Sequence, residues 1–144
     1  MTVAAILKHK GYQVTSVPPT TPISDLTEVL ARHRIGAVLV MDSAEQLLGI
    51  VSERDIVRSL AANGARTLEM TAGQLMTRTV QVASPDITVG EAMGMMTAGH
   101  FRHLPVVDHD RVVGLVSIGD VVKSRIMQQE TEVDSLRAYV AGAA

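Results

Sequence analysis

Apolar positions along this chain follow two rhythms that alternate and then return. Ala37-Val38-Leu39-Val40-Met41 is an unbroken apolar run, as expected of a strand buried on both faces. Ahead of it, Leu26, Val29 and Leu30 recur at i, i+3 and i+4, an amphipathic helix for which Ser24 is the predicted cap. A short strand over 14–17 precedes that helix and is broken by Pro18, Pro19 and Pro22. After the run, 42–46 reads as a turn and 47–51 as the partner strand. A helix then starts at Glu53, reaches about Ala62 and stops at Asn63-Gly64. At the start of the chain, 3–10 reads as a helix with Thr2 as its cap and Gly11 as its stop.

The whole order is then repeated. Val14 maps to Val80, Val40 to Val106 and Asp42 to Asp108, each 66 residues on; Gly49 maps to Gly114, 65 on, so the second hairpin turn is one residue shorter. The predicted fold class is therefore α/β (α+β): two βαββα repeats, an N-terminal helix, and a long C-terminal helix from Ile118 to about Tyr139. A sheet of two or three strands cannot bury both faces alone, so the repeats are expected to pack about a pseudo-two-fold axis. The predicted boundaries are 1–66 for the first repeat with the N-terminal helix, 67–79 for a linker with a short helical piece near 71–76, and 80–144 for the second repeat. In the last helix Ile126, Val133 and Val140 fall seven apart, with Leu136 between the last two. That stripe either packs on the chain's own N-terminal helix or faces another subunit.

Composition narrows the function classes. Of 144 residues 47% are hydrophobic but only 2% aromatic, so the core must be built from Val, Leu, Ile, Ala and Met; the clustered Met93, Met95 and Met96 are read as core filler. Net charge is −2 with no basic run, which argues against nucleic acid as a partner. With no cysteine, disulfides, thiol catalysis and Cys-ligated zinc are excluded. No apolar stretch nears the roughly 20 residues that span a bilayer. The N-terminal apolar piece is followed, not preceded, by Lys8, His9 and Lys10, the reverse of a secretory signal, so a soluble, cytoplasmic protein with no membrane partner is expected.

The polar residues that repeat are Ser52-x-x-Asp55 and Ser117-x-x-Asp120, each opening a helix straight after an apolar strand. One reading is a capping box, which satisfies orphan backbone N–H groups. The other is a ligand site: free N–H groups and a partial positive charge suit phosphate, and a carboxylate one turn in can accept both hydroxyls of a ribose. Arg102 and His103 precede the second buried strand, where an arginine could clamp phosphate. The first repeat has Gly36 and Ala37 there, so the two sites should differ. There is no Gly-x-Gly-x-x-Gly, no Walker A motif, and no evident general base for Ser117. His100, His103 and His109 lack a suitably spaced acidic ligand, and no metal is expected.

The segments Gly-Ile-Val-Ser-Glu-Arg-Asp (49–55), Arg-His-Leu-Pro-Val-Val-Asp (102–108) and Gly-Leu-Val-Ser-Ile-Gly-Asp (114–120), with Met76-Thr77 ahead of the second repeat, resemble a tandem CBS-domain protein, a Bateman module, of the small stand-alone two-repeat type. The likeness covers about 10–127. It implies a non-catalytic sensor with two clefts between its paired sheets that hold AMP, ADP, ATP, NAD(H) or S-adenosylmethionine, AMP foremost. It places Asp120 and Ser117 on the ribose or phosphate in one cleft, and Asp55 and Ser52 in the other. Arg102 and His103 then meet phosphate. Lys10, Gly11 and Tyr12 line the base or phosphate, with Thr79 and Val80 as their counterparts and Tyr12 as the candidate stacking partner. The resemblance also implies a homodimer and an effector protein that the sequence does not name. The alternative is a structural or dimerisation module with no physiological nucleotide.

Overall fold

The elements form where apolar period and capping chemistry agree. A computed structural model describes residues 1–142. In chain order they are α1 (Val3–Lys10), β1 (Ser16–Val17), α2 (Ile23–His33), β2 (Ala37–Met41), β3 (Leu47–Ser52), α3 (Glu53–Asn63), a 3₁₀ turn (Gly64–Glu69), α4 (Ala72–Leu75), α5 (Val89–Gly99), β4 (His103–Asp108), β5 (Arg111–Ser117) and α6 (Ile118–Gly142). Thr2 caps α1 by accepting from the Ala5 N–H, and Gly11 ends it at φ 106°, a backbone conformation open to glycine.

The chain divides into two compact units. One holds 13–81 together with 109–113. Its sheet has the order β1-β2-β3, β1 parallel to β2 and β2 antiparallel to β3. The Asp42 carboxylate closes the β2–β3 turn by accepting from the N–H groups of Ala44 and Gln46. The core of this unit is Val17, Ile23, Leu26, Leu30, Val38, Val40, Val51, Ile56 and Ala72. α2 starts one residue before the expected cap, at Ile23, with Pro22 at the N-cap position. Ser24 therefore lies inside the helix, where the Leu26 N–H it would have capped already donates to the Pro22 carbonyl at 3.1 Å, and the Ile23 N–H at the helix start donates to the Met70 carbonyl at 2.8 Å.

The other unit holds 1–12, 82–108 and the chain from 114 onward. β4 and β5 pair as a two-stranded sheet, and the expected leading strand shrinks to a single parallel bridge between Ala83 and Val106. Its buried residues repeat the first core position by position: Ala83, Val89, Ala92, Met96, Leu104, Val106, Val116, Val121 and Val3. Four of these are smaller than their counterparts (Ala83, Val89, Ala92 and Val121 for Val17, Ile23, Leu26 and Ile56) and two are larger (Leu104 and Val3 for Val38 and Ala72), so the same positions are filled by different side chains.

α1 packs in the unit of the second repeat, not with the repeat it precedes. The N–H groups of Val3 and Ala4 donate to the carbonyls of Ile87 and Pro85, both at 2.9 Å, and the Val89 N–H donates to the Met1 carbonyl at 3.0 Å. α4 does the same for the first repeat: the N–H groups of Ala72 and Gly73 donate to Thr21 and Pro19 at 2.8 and 2.9 Å. α1 and the chain just past α4 each press on a strand glycine. A Cβ on Gly114 would lie 2.5 Å from Leu7 Cδ2; one on Gly49 would lie 2.7 Å from both Met76 Sδ and the Thr77 carbonyl oxygen.

The two glycines therefore differ in tolerance. At Gly114 the obstacle is the tip of a leucine, whereas at Gly49 it includes backbone that is itself hydrogen-bonded to Ile50. Gly49→Ala should cost about 1–3 kcal/mol of overpacking and Gly114→Ala less. Urea unfolding of both variants decides; equal costs would mean that the α1 seat is as rigid as the α4 seat.

Candidate functional site

Each repeat carries its polar residues at one strand-to-helix junction. In the second, β5 runs into α6 at Ser117. The Ser117 hydroxyl accepts from the Asp120 N–H at 3.1 Å, and Asp120 Oδ2 accepts from the Ser117 N–H at 2.9 Å. In the first, Ser52 Oγ accepts from the Asp55 N–H at 3.3 Å, and Asp55 Oδ2 accepts from the Ser52 N–H and hydroxyl at 2.8 and 3.0 Å. Both are capping boxes, so the structural reading of the motif holds in both copies. The loop before the buried strand closes each junction: the Ile118 N–H donates to the Arg102 carbonyl at 2.8 Å, and the Glu53 N–H to the Gly36 carbonyl at 2.9 Å.

Capping leaves part of each carboxylate unused. Every hydrogen bond to Asp120 and Asp55 goes to Oδ2, and Oδ1 has no partner among the described residues. The Gly119 N–H, in the first turn of α6, has no intrahelical acceptor.

The copies differ in what reaches the aspartate. Lys10, on the last turn of α1, donates to Asp120 Oδ2 at 2.6 Å and to the Leu115 carbonyl at 2.9 Å. Its ammonium has three donors, so one remains. α1 has eight residues and α4 four, and the extra turn is what carries Lys10 to the site. In the first repeat the chain after α4 instead bridges β3, with Thr77 and Ile50 exchanging hydrogen bonds of 2.9 and 3.1 Å. Thr79 beyond it is exposed and Val80 half-buried. Burial pushes the Asp120 carboxyl up. The hydrogen bonds from Lys10 and Ser117 and the charge of Lys10 outweigh it and hold the group below its ordinary value.

The structure thus brings Lys10, Ser117, Asp120 and the Arg102 backbone together, and in the other unit Ser52, Asp55 and the Gly36 backbone. The Arg102 side chain is exposed, His103 is half-buried at the start of β4, and Tyr12 is 60% exposed just past Gly11. Sequence reasoning placed Lys10 against a base or phosphate and missed its bond to Asp120 and the Leu115 carbonyl. The signal available was the length of α1 before Gly11. Among the described residues no group of three His, Asp or Glu side chains could hold a metal ion, and no helix is long and apolar enough to cross a membrane.

The ion pair makes stability pH-dependent with a definite sign. The folded pKa of Asp120 lies below the unfolded value of about 3.9, so the stabilisation is present above about pH 4 and lost as pH falls through the folded pKa. With side chains 36% and 24% exposed, solvent screening limits it to about 1 kcal/mol or less. Lys10→Met should therefore cost stability near neutral pH and cost little near pH 2. Urea midpoints of both proteins at the two pH values test this, and a pH-independent difference would show that Lys10 acts by packing alone.

The comparisons with known proteins agree with this architecture. A family model for the CBS domain matches residues 4–62 and again 72–126. A CBS-domain protein of Agrobacterium tumefaciens superposes with a TM-score of 0.84 at 40% identity, over 86% of this chain and 92% of that one. The mitochondrial CBS domain-containing protein CBSX3 of Arabidopsis thaliana is 30% identical over 98% of this chain and 72% of its own length. The CBS domain pair of protein MJ0100, solved in complex with 5'-methylthioadenosine and S-adenosyl-L-methionine, superposes with a TM-score of 0.77 at 28% identity, covering 90% of this chain and 98% of that one. Two matched repeats, each with its own capped junction, make this chain a member of the CBS-domain family in its paired form.

Proposed function

We propose that this chain is a non-catalytic regulatory module that binds an adenine nucleotide, AMP before ADP, ATP or NAD(H), and passes the binding energy to an effector protein. The observation that carries the reading is the unused pair beside the α6 N-terminus: Asp120 Oδ1 as acceptor and the third Lys10 N–H as donor. A ribose hydroxyl both donates and accepts, so it fits that pair. The Gly119 N–H and the positive end of α6 suit a phosphate oxygen next to it. Ser52 and Asp55 offer the first repeat a similar acceptor without the lysine, so the Asp120 site is the stronger one.

Charge selects among adenosine ligands. The two ligands held by the CBS domain pair of MJ0100 share the adenosine group, which supports adenosine chemistry here. S-adenosylmethionine carries a sulfonium cation, which an ammonium at Lys10 disfavours, whereas a phosphate is favoured. A competing reading has an observation of its own: Lys10 already satisfies Asp120 from within the chain, as a purely structural module would require.

A thermal-shift panel with AMP, ADP, ATP, NAD, NADH, 5'-methylthioadenosine and S-adenosylmethionine separates the readings. At ligand about 100-fold above Kd, binding should add roughly 2.7 kcal/mol and raise Tm by several degrees. Asp120→Ala should abolish the shift while losing only about 1 kcal/mol of cap stability. Lys10→Met should weaken AMP more than 5'-methylthioadenosine. No shift with any ligand establishes the structural module, and a tighter AMP complex in Lys10→Met would make Lys10 a competitor for the aspartate.

A further inference from the structure

α6 runs far past the fold that starts it. Its buried residues are Val121 and Ser124, and from Gln129 to Gly142 every residue is exposed, about four turns of helix covered on no side. A helix of that length is marginal in water without a packed face. Its only side-chain support among the described residues is a 3.4 Å bond from Gln128 to Glu132 and one from the Thr131 hydroxyl to the Met127 carbonyl. Yet the exposed face is apolar in register: Ile126, Val133, Leu136 and Val140 are 50%, 46%, 62% and 62% exposed.

We infer that this arm forms a parallel two-stranded coiled coil with the same arm of a second copy of the chain. With Ile126, Val133 and Val140 at a, position d holds Gln129 and Leu136. β-branched residues at a with leucine at d favour two parallel strands, and one polar core layer, here Gln129, fixes register. The flanking charges fit the same arrangement. Position g holds Arg125 and Glu132, and position e holds Glu130 and Arg137. In a parallel pair, g of one helix meets e of the next heptad on its partner. That gives Arg125 against Glu130 and Glu132 against Arg137, each twice by symmetry and each attractive. None of these four charges forms an ion pair within the chain among the described residues. An antiparallel pair sets Val133 against Leu136 and keeps only the contact between Glu130 and Arg137. An open apolar groove lined by Ile118, Val122 and Ile126 continues the stripe to the root of the helix. The inference stands apart from the nucleotide reading, since no residue of the arm belongs to the Asp120 site.

Sedimentation of the full chain at tens of micromolar should give twice the 15.4 kDa of one chain. Val133→Glu with Leu136→Glu should return it to one chain with the unfolding midpoint of the core retained. Because the chain has no cysteine, orientation can be read directly. Leu136→Cys should oxidise to a covalent dimer and Ser135→Cys, on the outer face, should not. Arg125→Glu should weaken association by about tenfold, and adding Glu130→Arg should restore it. A monomeric wild type, or a dimer that survives both glutamates, overturns the proposal. So does cross-linking that requires Val133→Cys and Leu136→Cys together, which would make the pair antiparallel.

Discussion

The structure depends on backbone hydrogen bonds made by the segment ahead of each repeat to the repeat it does not lead. Val3 and Ala4 bind the carbonyls of Ile87 and Pro85, and Ala72 and Gly73 bind those of Thr21 and Pro19. These donors sit at the first turns of α1 and α4, where no intrahelical acceptor exists, so the crossing satisfies groups that would otherwise be orphaned. It also brings a buried apolar residue into each core, Val3 in one unit and Ala72 in the other. Neither repeat has its complete set of buried partners within its own sequence.

That crossing is what separates two otherwise matched sites. Both junctions have the same capping box and the same loop carbonyl against the first helical N–H. Duplication preserved the groups that build a helix start. The leading segments were free to differ in length, and the additional turn of α1 carries a lysine to Asp120. The chain after α4 spends its backbone on a bridge to β3 instead. A change of one helical turn in a segment remote in sequence thus sets the charge of a site more than a hundred residues away.

Much of this was legible in the residues. The apolar run 37–41 became β2 with its first four residues buried, the turn at 42–46 closed on Asp42, and the limits of α1 followed from Thr2 and Gly11. These features depend on neighbours a few residues away, and local rules describe them. Ser24 failed as a cap because the helix starts one residue earlier, at Ile23, whose N–H is taken by a distant carbonyl, that of Met70. The strand expected near Val80 became a single bridge at Ala83, whose N–H donates to the Pro105 carbonyl and whose carbonyl accepts from the Val107 N–H. Lys10 carries no local mark of its partner: Asp120 is 110 residues on, and only the crossing of α1 brings them together. The apolar stripe of α6 was visible as a period, but whether α1 would cover it was not. The exposure of Ile126, Val133 and Val140 shows that it does not.

A capped junction is already organised before anything binds to it. Asp120 and Asp55 are oriented by their own helix N-termini through Oδ2, which leaves Oδ1 directed by bonds that exist in the folded chain anyway. A ligand that uses Oδ1 need not order the carboxylate, and the entropy of fixing that side chain is spent on folding and not on binding. The same economy explains why the structural and ligand readings of Ser-x-x-Asp are not rivals. The cap uses one oxygen and leaves the other, so a motif retained for stability can carry recognition at no cost to the helix it starts. Lys10 adds to this without disturbing it. It joins Asp120 on the oxygen the cap already occupies, keeps the carboxyl ionised, and leaves one N–H for whatever shares the site.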